Sequence, residues 1–213
     1  MEDILKMMLS TWYFWAGLVL LALIRLLYPI IKGKAGETDV AILLKGLPEG
    51  QYRAFHDILL ETERGKTQID HILVSRFGVF VIETKTYKGW IFGSEGDKYW
   101  TQQIYRSKRR FYNPLRQNFA HVKAVEALLS SIPDIHIIPI VAFSGECDLK
   151  VNVQKAQVVY FSQIKRTVLS YTEQTLDDAA MRQVCERIQA ANILDRAKRR
   201  AHIRSVKQKK AQA

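Results

Sequence analysis

The sequence predicts an α/β fold in which helices flank a mixed central β-sheet, preceded by one transmembrane helix. An unbroken apolar run, Thr11 to Ile31, lies near the N-terminus. After it, apolar stretches of strand length alternate with stretches of helical period. The length of 213 residues suffices for one domain with a sizeable core and an additional segment. We therefore divide the chain into an anchor and linker (1–35), a domain (36–195) and a basic tail (196–213).

The N-terminal run has the length of a helix that crosses a bilayer, for which about 20 residues are needed. Its one charge, Arg25, lies near the end and can extend toward the headgroups. Lys32 and Lys34 follow, which predicts a single-pass protein of the cell inner (cytoplasmic) membrane, spanning it through residues 11–31 with the C-terminal domain in the cytoplasm. A buried core helix is the alternative. A signal peptide is disfavoured because the first residues carry mixed charges and no small-residue cleavage site follows.

The first half of the domain is predicted to be mainly strands. We expect a polar linker at 32–37, a short helix at 37–45 and a strand at 51–61. The segment "QIDHILVSRFGVFVIETKTYKGW" (68–90) indicates two apolar strands joined by a short turn. Short strands at 89–93 and 98–105 and an exposed basic segment, "SKRR", complete this half.

The second half is predicted to alternate helices with buried strands. Asn113 is a typical N-cap and Pro114 is favoured at the first helical position, so a helix begins there. Two buried strands and two helices follow, the last of which runs into the basic tail; these elements cover 136–144, 156–161, 162–171 and 175–194. The order helix, three-strand meander, helix, strand, strand, helix is that of a mixed sheet flanked by helices.

Charge and cysteine content limit the function classes. The formal net charge of +11 favours a polyanionic partner, either nucleic acid or an anionic membrane surface, over a basic protein with no such partner. The two cysteines, Cys147 and Cys185, form neither a zinc pattern nor a disulfide framework. A reduced, structural state in the cytosol is expected for them.

Charged residues inside the predicted hairpin are unusual and require compensation. A two-residue turn places Asp70 opposite Glu83, a four-residue loop places it opposite Lys85, and a three-residue loop separates the charges. Two nearby carboxylates in an apolar strand pair need shared protons, a lysine partner or a divalent cation. Mg²⁺ (or Mn²⁺) takes carboxylate oxygens of this kind. A buried Glu–Lys–Asp network without metal explains the pattern equally well.

Several motifs in order resemble one known family. "IDH", "GVFVIETK", "GW" and "NPLRQNFAH" are similar to the nuclease-related domain (NERD) family, a branch of the PD-(D/E)XK nuclease superfamily, over Gly36 to about Leu129. The resemblance implies a restriction-endonuclease-like core. It also implies that Asp70 and Glu83 bind the metal and that Lys85 assists the attacking water. The further site residues that it implies are Glu37, on the first helix, and Gln117. Ile69 replaces the proline of the superfamily's name-giving motif, which removes no ligand.

The resemblance favours an enzyme over two other readings. We expect hydrolysis of DNA phosphodiester bonds by a metal-activated water. One alternative is a catalytically silent, membrane-tethered module that binds nucleic acid or protein, and another is a scaffold whose tail binds anionic lipid. His121 is a weaker candidate beside the site, and stacking of Trp90 or Trp100 on bases is less expected than packing. The predicted phosphate-contact patch consists of Arg106, Lys108, Arg109 and Arg110.

Overall fold

The computed structural model describes residues 2–48, 50–63 and 65–211. Its helices are α1 (Glu2–Lys45), α2 (Pro114–Leu129), α3 (Ile164–Leu169, after a 3₁₀ turn at Phe161–Gln163), α4 (Asp178–Ala191) and α5 (Arg196–Ala211). Its strands are β1 (Tyr52–Thr62), β2 (Gly65–Ser75), β3 (Gly78–Lys85), β4 (Gly89–Ser94), β5 (Tyr99–Ile104), β6 (Ser107–Tyr112), β7 (Ile137–Phe143), β8 (Cys147–Asn152) and β9 (Gln157–Tyr160).

The strands form two mixed sheets. The larger sheet has the order β1-β2-β3-β7-β9, in which β1, β2 and β3 form an antiparallel meander and β7 and β9 add in parallel. The smaller sheet has the order β6-β5-β4-β8. The predicted mixed sheet with flanking helices is therefore confirmed. Of the smaller sheet, β4 and β5 are the short strands predicted at 89–93 and 98–105, and they pair with each other. Its other two strands were not predicted: β8 was not foreseen, and the basic segment expected to be merely exposed is an edge strand, β6, which is both exposed and paired.

Helix α1 corrects the expected linker. Residues 32–37 are helical, so one unbroken helix runs from Glu2 to Lys45 across the boundary that we placed at 35/36. Its described side chains from Trp12 to Tyr28 are exposed, whereas Val40 and Leu44 are buried in the domain. The segment that includes Trp12 is long and apolar enough to cross a membrane, with a mean hydropathy of 2.1 and none of that window buried. Length and composition alone suit a membrane span and a signal sequence equally.

Gly36 explains how α1 lies so close to the domain. A Cβ atom at this position would overlap the methyl group of Thr86 and touch the ring of Phe161. A larger residue would push the helix away from Thr86, which directly follows β3. Glycine, although unfavourable within a helix, is therefore required by packing here.

Apolar side chains fill both faces of the larger sheet. One cluster joins β2 and β3 to α2 and α4, and another joins the opposite face to α1 and α3. A third cluster joins the two sheets, and within it Trp100 is fully buried and stacks on Phe143 with ring centroids 6.2 Å apart. Trp100 is therefore a core residue and does not stack on bases, while Trp90 remains exposed.

The basic tail is a separate helix. Helix α4 ends at Ala191, earlier than predicted, and α5 begins at Arg196 after Asp195 accepts a hydrogen bond from the backbone of Lys198. Arg199 binds Asp57 on β1 through its backbone carbonyl at 2.9 Å and its carboxylate at 2.5 Å. The last two residues of the predicted tail lie outside the described residues.

Candidate active site

The hairpin register brings the predicted charges together. Strands β2 and β3 pair from Ser75 with Gly78 to His71 with Ile82, so the turn contains two residues, as the simplest prediction required. The ladder ends one pair before Asp70 and Glu83 would meet. Alternation along β3 directs Glu83 toward α2, on the same face as Val79 and Val81.

Asp70 lies at an irregular point of the sheet. The pairing between β1 and β2 skips Asp57 and Asp70, and Asp57 has a positive φ of 54°. The Oδ2 atom of Asp70 accepts hydrogen bonds from the backbone nitrogen of Thr84 (2.8 Å) and from its hydroxyl (2.9 Å). In the described part of the chain, no group donates to the other carboxylate oxygen of Asp70. The irregularity thus fixes Asp70 to β3 and leaves one oxygen for a ligand.

Glu83 and Lys85 connect β3 to α2. The Lys85 ammonium donates to Oε1 of Glu83 and, at 3.1 Å, to Oε1 of Gln117. His121 lies one turn after Gln117, with its Nδ1 3.3 Å from Oε2 of Glu83. This contact lacks hydrogen-bond geometry, so both atoms are buried without a partner among the described residues.

Burial dominates the electrostatics of this cluster. Glu83 is 1% exposed, and burial raises the pKa of its carboxyl to about 7; the Asp70 charge adds to this and the Lys85 charge opposes it. Burial alone would lower the pKa of Lys85, but the carboxylates of Glu83 and Asp70 together raise it. Burial lowers the pKa of His121 to about 4, so its imidazole is neutral at pH 7.

Glu37 approaches the cluster from α1. Burial, together with the negative charges of Asp70 and Asp57, raises the pKa of its carboxyl to about 7. The sequence-predicted residues Glu37, Asp70, Glu83, Lys85 and Gln117 are thus placed at one end of β3, between α1 and α2.

The residues present fit a divalent cation in one specific respect. Oε2 of Glu83 is a buried carboxylate oxygen without a partner, close to the second carboxylate, Asp70. Among residues 2–48, 50–63 and 65–211, no group of three or more His, Cys, Asp or Glu side chains is arranged to hold a metal ion. Mg²⁺ nevertheless needs only one or two carboxylates, because water completes its shell.

The predicted basic patch is divided by the pleat of β6. Arg109 and Phe111 share the face toward Tyr87, whose ring lies 4.4 Å from that of Phe111. Burial raises the pKa of Tyr87, while the charges of Lys85 and Arg109 lower it, so Arg109 borders the site. Lys108 and Arg110 point to the opposite face, and Arg106 occupies the β5–β6 turn.

The structure adds Asp57, Thr84 and Tyr87 to the site, and sequence reasoning missed all three. Thr84 and Tyr87 lie next to predicted site residues in the sequence, and this proximity was the signal that could have identified them. No sequence signal pointed to Asp57. A cavity of about 560 Å³ lies instead between α2 and strands β7 and β9, and none of the predicted catalytic residues lines it.

Comparisons with known proteins identify a family and one relative. The sequence model of one family, described as the nuclease-related domain, matches residues 32–144. An uncharacterized protein of Bacillus anthracis is 40% identical over 180 residues, which cover 83% of this chain and 84% of that protein. No solved structure matches.

Proposed function

The chain belongs to the nuclease-related domain family, and we propose that it hydrolyses DNA phosphodiester bonds at the cluster of Asp70, Glu83 and Lys85 while α1 anchors it in a membrane. One observation carries the catalytic part: Oε2 of Glu83 is a buried carboxylate oxygen that accepts no hydrogen bond in the described chain, although His121 Nδ1 lies 3.3 Å away, and it lies beside a second carboxylate and a lysine. A purely structural ion network would be expected to satisfy that oxygen.

Asp70 and Glu83 are the residues that would hold Mg²⁺ or Mn²⁺. When bound, the cation supplies an acidified water and neutralises charge on the scissile phosphate. Thr84 restrains Asp70 through two hydrogen bonds to one oxygen, which leaves the other oxygen for a ligand. The neutral imidazole of His121 adds no positive charge that would repel a cation.

Lys85 is placed to act on the water and on the phosphate. Its ammonium is held between Glu83 and Gln117, so its position is fixed before substrate binds. The carboxylates of Glu83 and Asp70 raise its pKa, so it stays charged at pH 7 and can stabilise the negative charge that develops on phosphorus oxygens. Arg109 borders the same side and would contact the DNA backbone without reading its sequence.

The membrane part rests on α1 and on the cations that follow its apolar run. Lys32 and Lys34 favour a cytoplasmic domain at the inner membrane. A reporter active only in the cytoplasm, fused after residue 213, should be active. A stable but inactive fusion would reverse this orientation.

Degradation of labelled DNA tests the catalytic part. A soluble form beginning at Lys32 keeps the α1 residues buried in the domain and omits the exposed run. It should degrade DNA in Mg²⁺ and not in EDTA. Asp70→Asn should be inactive, whereas Asp148→Asn, which removes an exposed carboxylate elsewhere, should match the wild type. DNA binding without degradation would instead indicate a catalytically silent nucleic-acid-binding module.

A further inference from the structure

The domain contacts the end of the apolar run of α1. Lys32 of α1 forms an ion pair with Glu146 at 2.8 Å, and Lys88 reaches the same carboxylate at 3.2 Å. The Lys88 ammonium also lies 5.8 Å from the centre of the Tyr28 ring, which belongs to the apolar run itself. Since α1 is unbroken here, the part of the domain around Lys88 lies level with the last turn of that run.

The same end of the smaller sheet carries the β5–β6 turn. The backbone nitrogen of Gly89 donates a hydrogen bond to the backbone carbonyl of Glu146, and Gln102 donates its side-chain amide to the carbonyl of Lys88 at 2.9 Å. Trp90 of β4 pairs with Gln103 of β5. The β5–β6 turn begins two residues after Gln103, so it lies about 7 Å farther along the strand than Trp90. The opposite end of the domain, where β3 begins, is about 23 Å away along an eight-residue strand.

Exposed large hydrophobic side chains and cations are concentrated at this end of the smaller sheet. Trp90 is 48% exposed, Ile104 40% and Tyr105 91%. Between and beside them lie the exposed cations Lys88, Arg106 and Lys108. Aromatic rings interleaved with cations are the composition found where proteins meet the interface of an anionic bilayer.

The backbone at the tip gives an independent reason to assign it a role. Tyr105 has a φ of 52° in a two-residue hairpin turn, where glycine or asparagine is normally preferred. A large ring there is costly, and 91% of it is exposed, so packing within the domain does not explain it.

We propose that this end of the smaller sheet, formed by Lys88, Trp90, Ile104, Tyr105, Arg106 and Lys108 and here called the membrane-facing edge, docks on the anionic surface of the bilayer that α1 spans. The proposal rests on the membrane anchoring proposed above but not on turnover. It assigns Arg106 and Lys108 to lipid headgroups and leaves Arg109 to the DNA. It also fixes the height of the active site above the apolar part of the bilayer. Glu37 follows the last apolar residue of the run, Ile31, by six helical residues, which is a rise of about 9 Å.

A fluorescent label at position 105 tests the contact in the full-length chain. Tyr105→Cys can be labelled selectively because Cys147 and Cys185 are buried. The protein is placed in phosphatidylcholine vesicles with or without phosphatidylglycerol, some of them carrying a quencher on the lipid headgroup. Ser130→Cys, exposed at the opposite end of the domain, is the matched label site.

We expect strong headgroup quenching at position 105 in phosphatidylglycerol vesicles, weaker quenching without that lipid, and background quenching at position 130. Replacing Lys88, Arg106 and Lys108 by glutamine should shift the docking equilibrium on the order of 100-fold toward the undocked state, at about fivefold per cation. The same change at three exposed cations away from this edge, Lys98, Lys123 and Arg182, should have no effect on quenching.

Flotation of each sample with its vesicles separates the two ways of failing. Protein that floats but shows equal, background quenching at positions 105 and 130 overturns the docking and leaves the anchor intact. Protein that does not float overturns the anchor and the docking together. A label at position 105 that responds to added DNA and not to lipid also overturns the docking, because this edge would then be a nucleic-acid surface.

Discussion

Replacing Glu83 by glutamine distinguishes a metal site from a structural ion network. Glu83 is 1% exposed, and burial raises its carboxyl pKa from 4.5 to about 7. The folded state therefore holds this proton more tightly than the unfolded state, so stability falls as the pH rises from about 4.5 to about 7. At about 1.4 kcal/mol per pKa unit, the full effect above this range is about 3 kcal/mol.

In EDTA at pH 8, Glu83→Gln should therefore be at least as stable as the wild type, by up to about 3 kcal/mol. Lys85 retains its hydrogen bond to Gln117 in this variant. The difference in unfolding free energy between variant and wild type should shrink toward pH 5, where the folded wild type is protonated at Glu83. Urea unfolding of the soluble form from pH 5 to pH 8 measures this difference.

Mg²⁺ provides the second half of the same test. At ten times its dissociation constant, the cation should stabilise the wild type by about 1.4 kcal/mol, or about 3–5 °C, and the variant far less. A structural network predicts the reverse: Glu83→Gln would lose about 3–5 kcal/mol because Lys85 is left without its carboxylate. A collapsed variant together with a wild type that is indifferent to Mg²⁺ would refute the metal-site reasoning.

Three further predictions follow from the same geometry. Lys85→Ala should lose cleavage but keep more Mn²⁺ affinity than Glu83→Gln does, measured by calorimetry, because lysine is not a ligand; an equal loss of affinity would contradict this. Arg109→Ala should weaken DNA binding and reduce the salt slope by about 1, and more than Arg110→Ala does, because Arg109 alone faces the site. Gly36→Ala should destabilise the domain by about 1–3 kcal/mol in thermal melts, whereas Gly33→Ala, with open space around it, should be neutral or slightly stabilising.

The sequence was sufficient for the hairpin and its charged residues. A two-residue side-chain period and a two-residue turn leave one register that unites Asp70 with Glu83, and the structure has that turn. The N-cap at Asn113 fixed the start of α2 and thereby the position of Gln117. These features depend on neighbours in sequence, so local patterns predicted them.

Features that depend on distant contacts were not predicted. The polar, glycine-containing segment at 32–37 has the composition of a linker, but it is helical, with Gly36 packed closely against Thr86 and Phe161. The positive φ of Asp57 occurs where the β1–β2 ladder skips one pair without a change of register, and no sequence pattern indicates this conformation because aspartate tolerates it. Strand β6 is almost wholly polar and exposed, so only its pairing with β5 identifies it.

The most direct test is a titration of the soluble form with Mn²⁺, in which bound ion and single-turnover DNA cleavage are measured in the same samples. We predict that cleavage rises with occupancy of a saturable site and that Asp70→Asn abolishes both, while Asp148→Asn changes neither. Cleavage that persists in Asp70→Asn, or a fully occupied wild type that binds DNA and leaves it intact, would contradict the assignment of this cluster as a metal-dependent nuclease site.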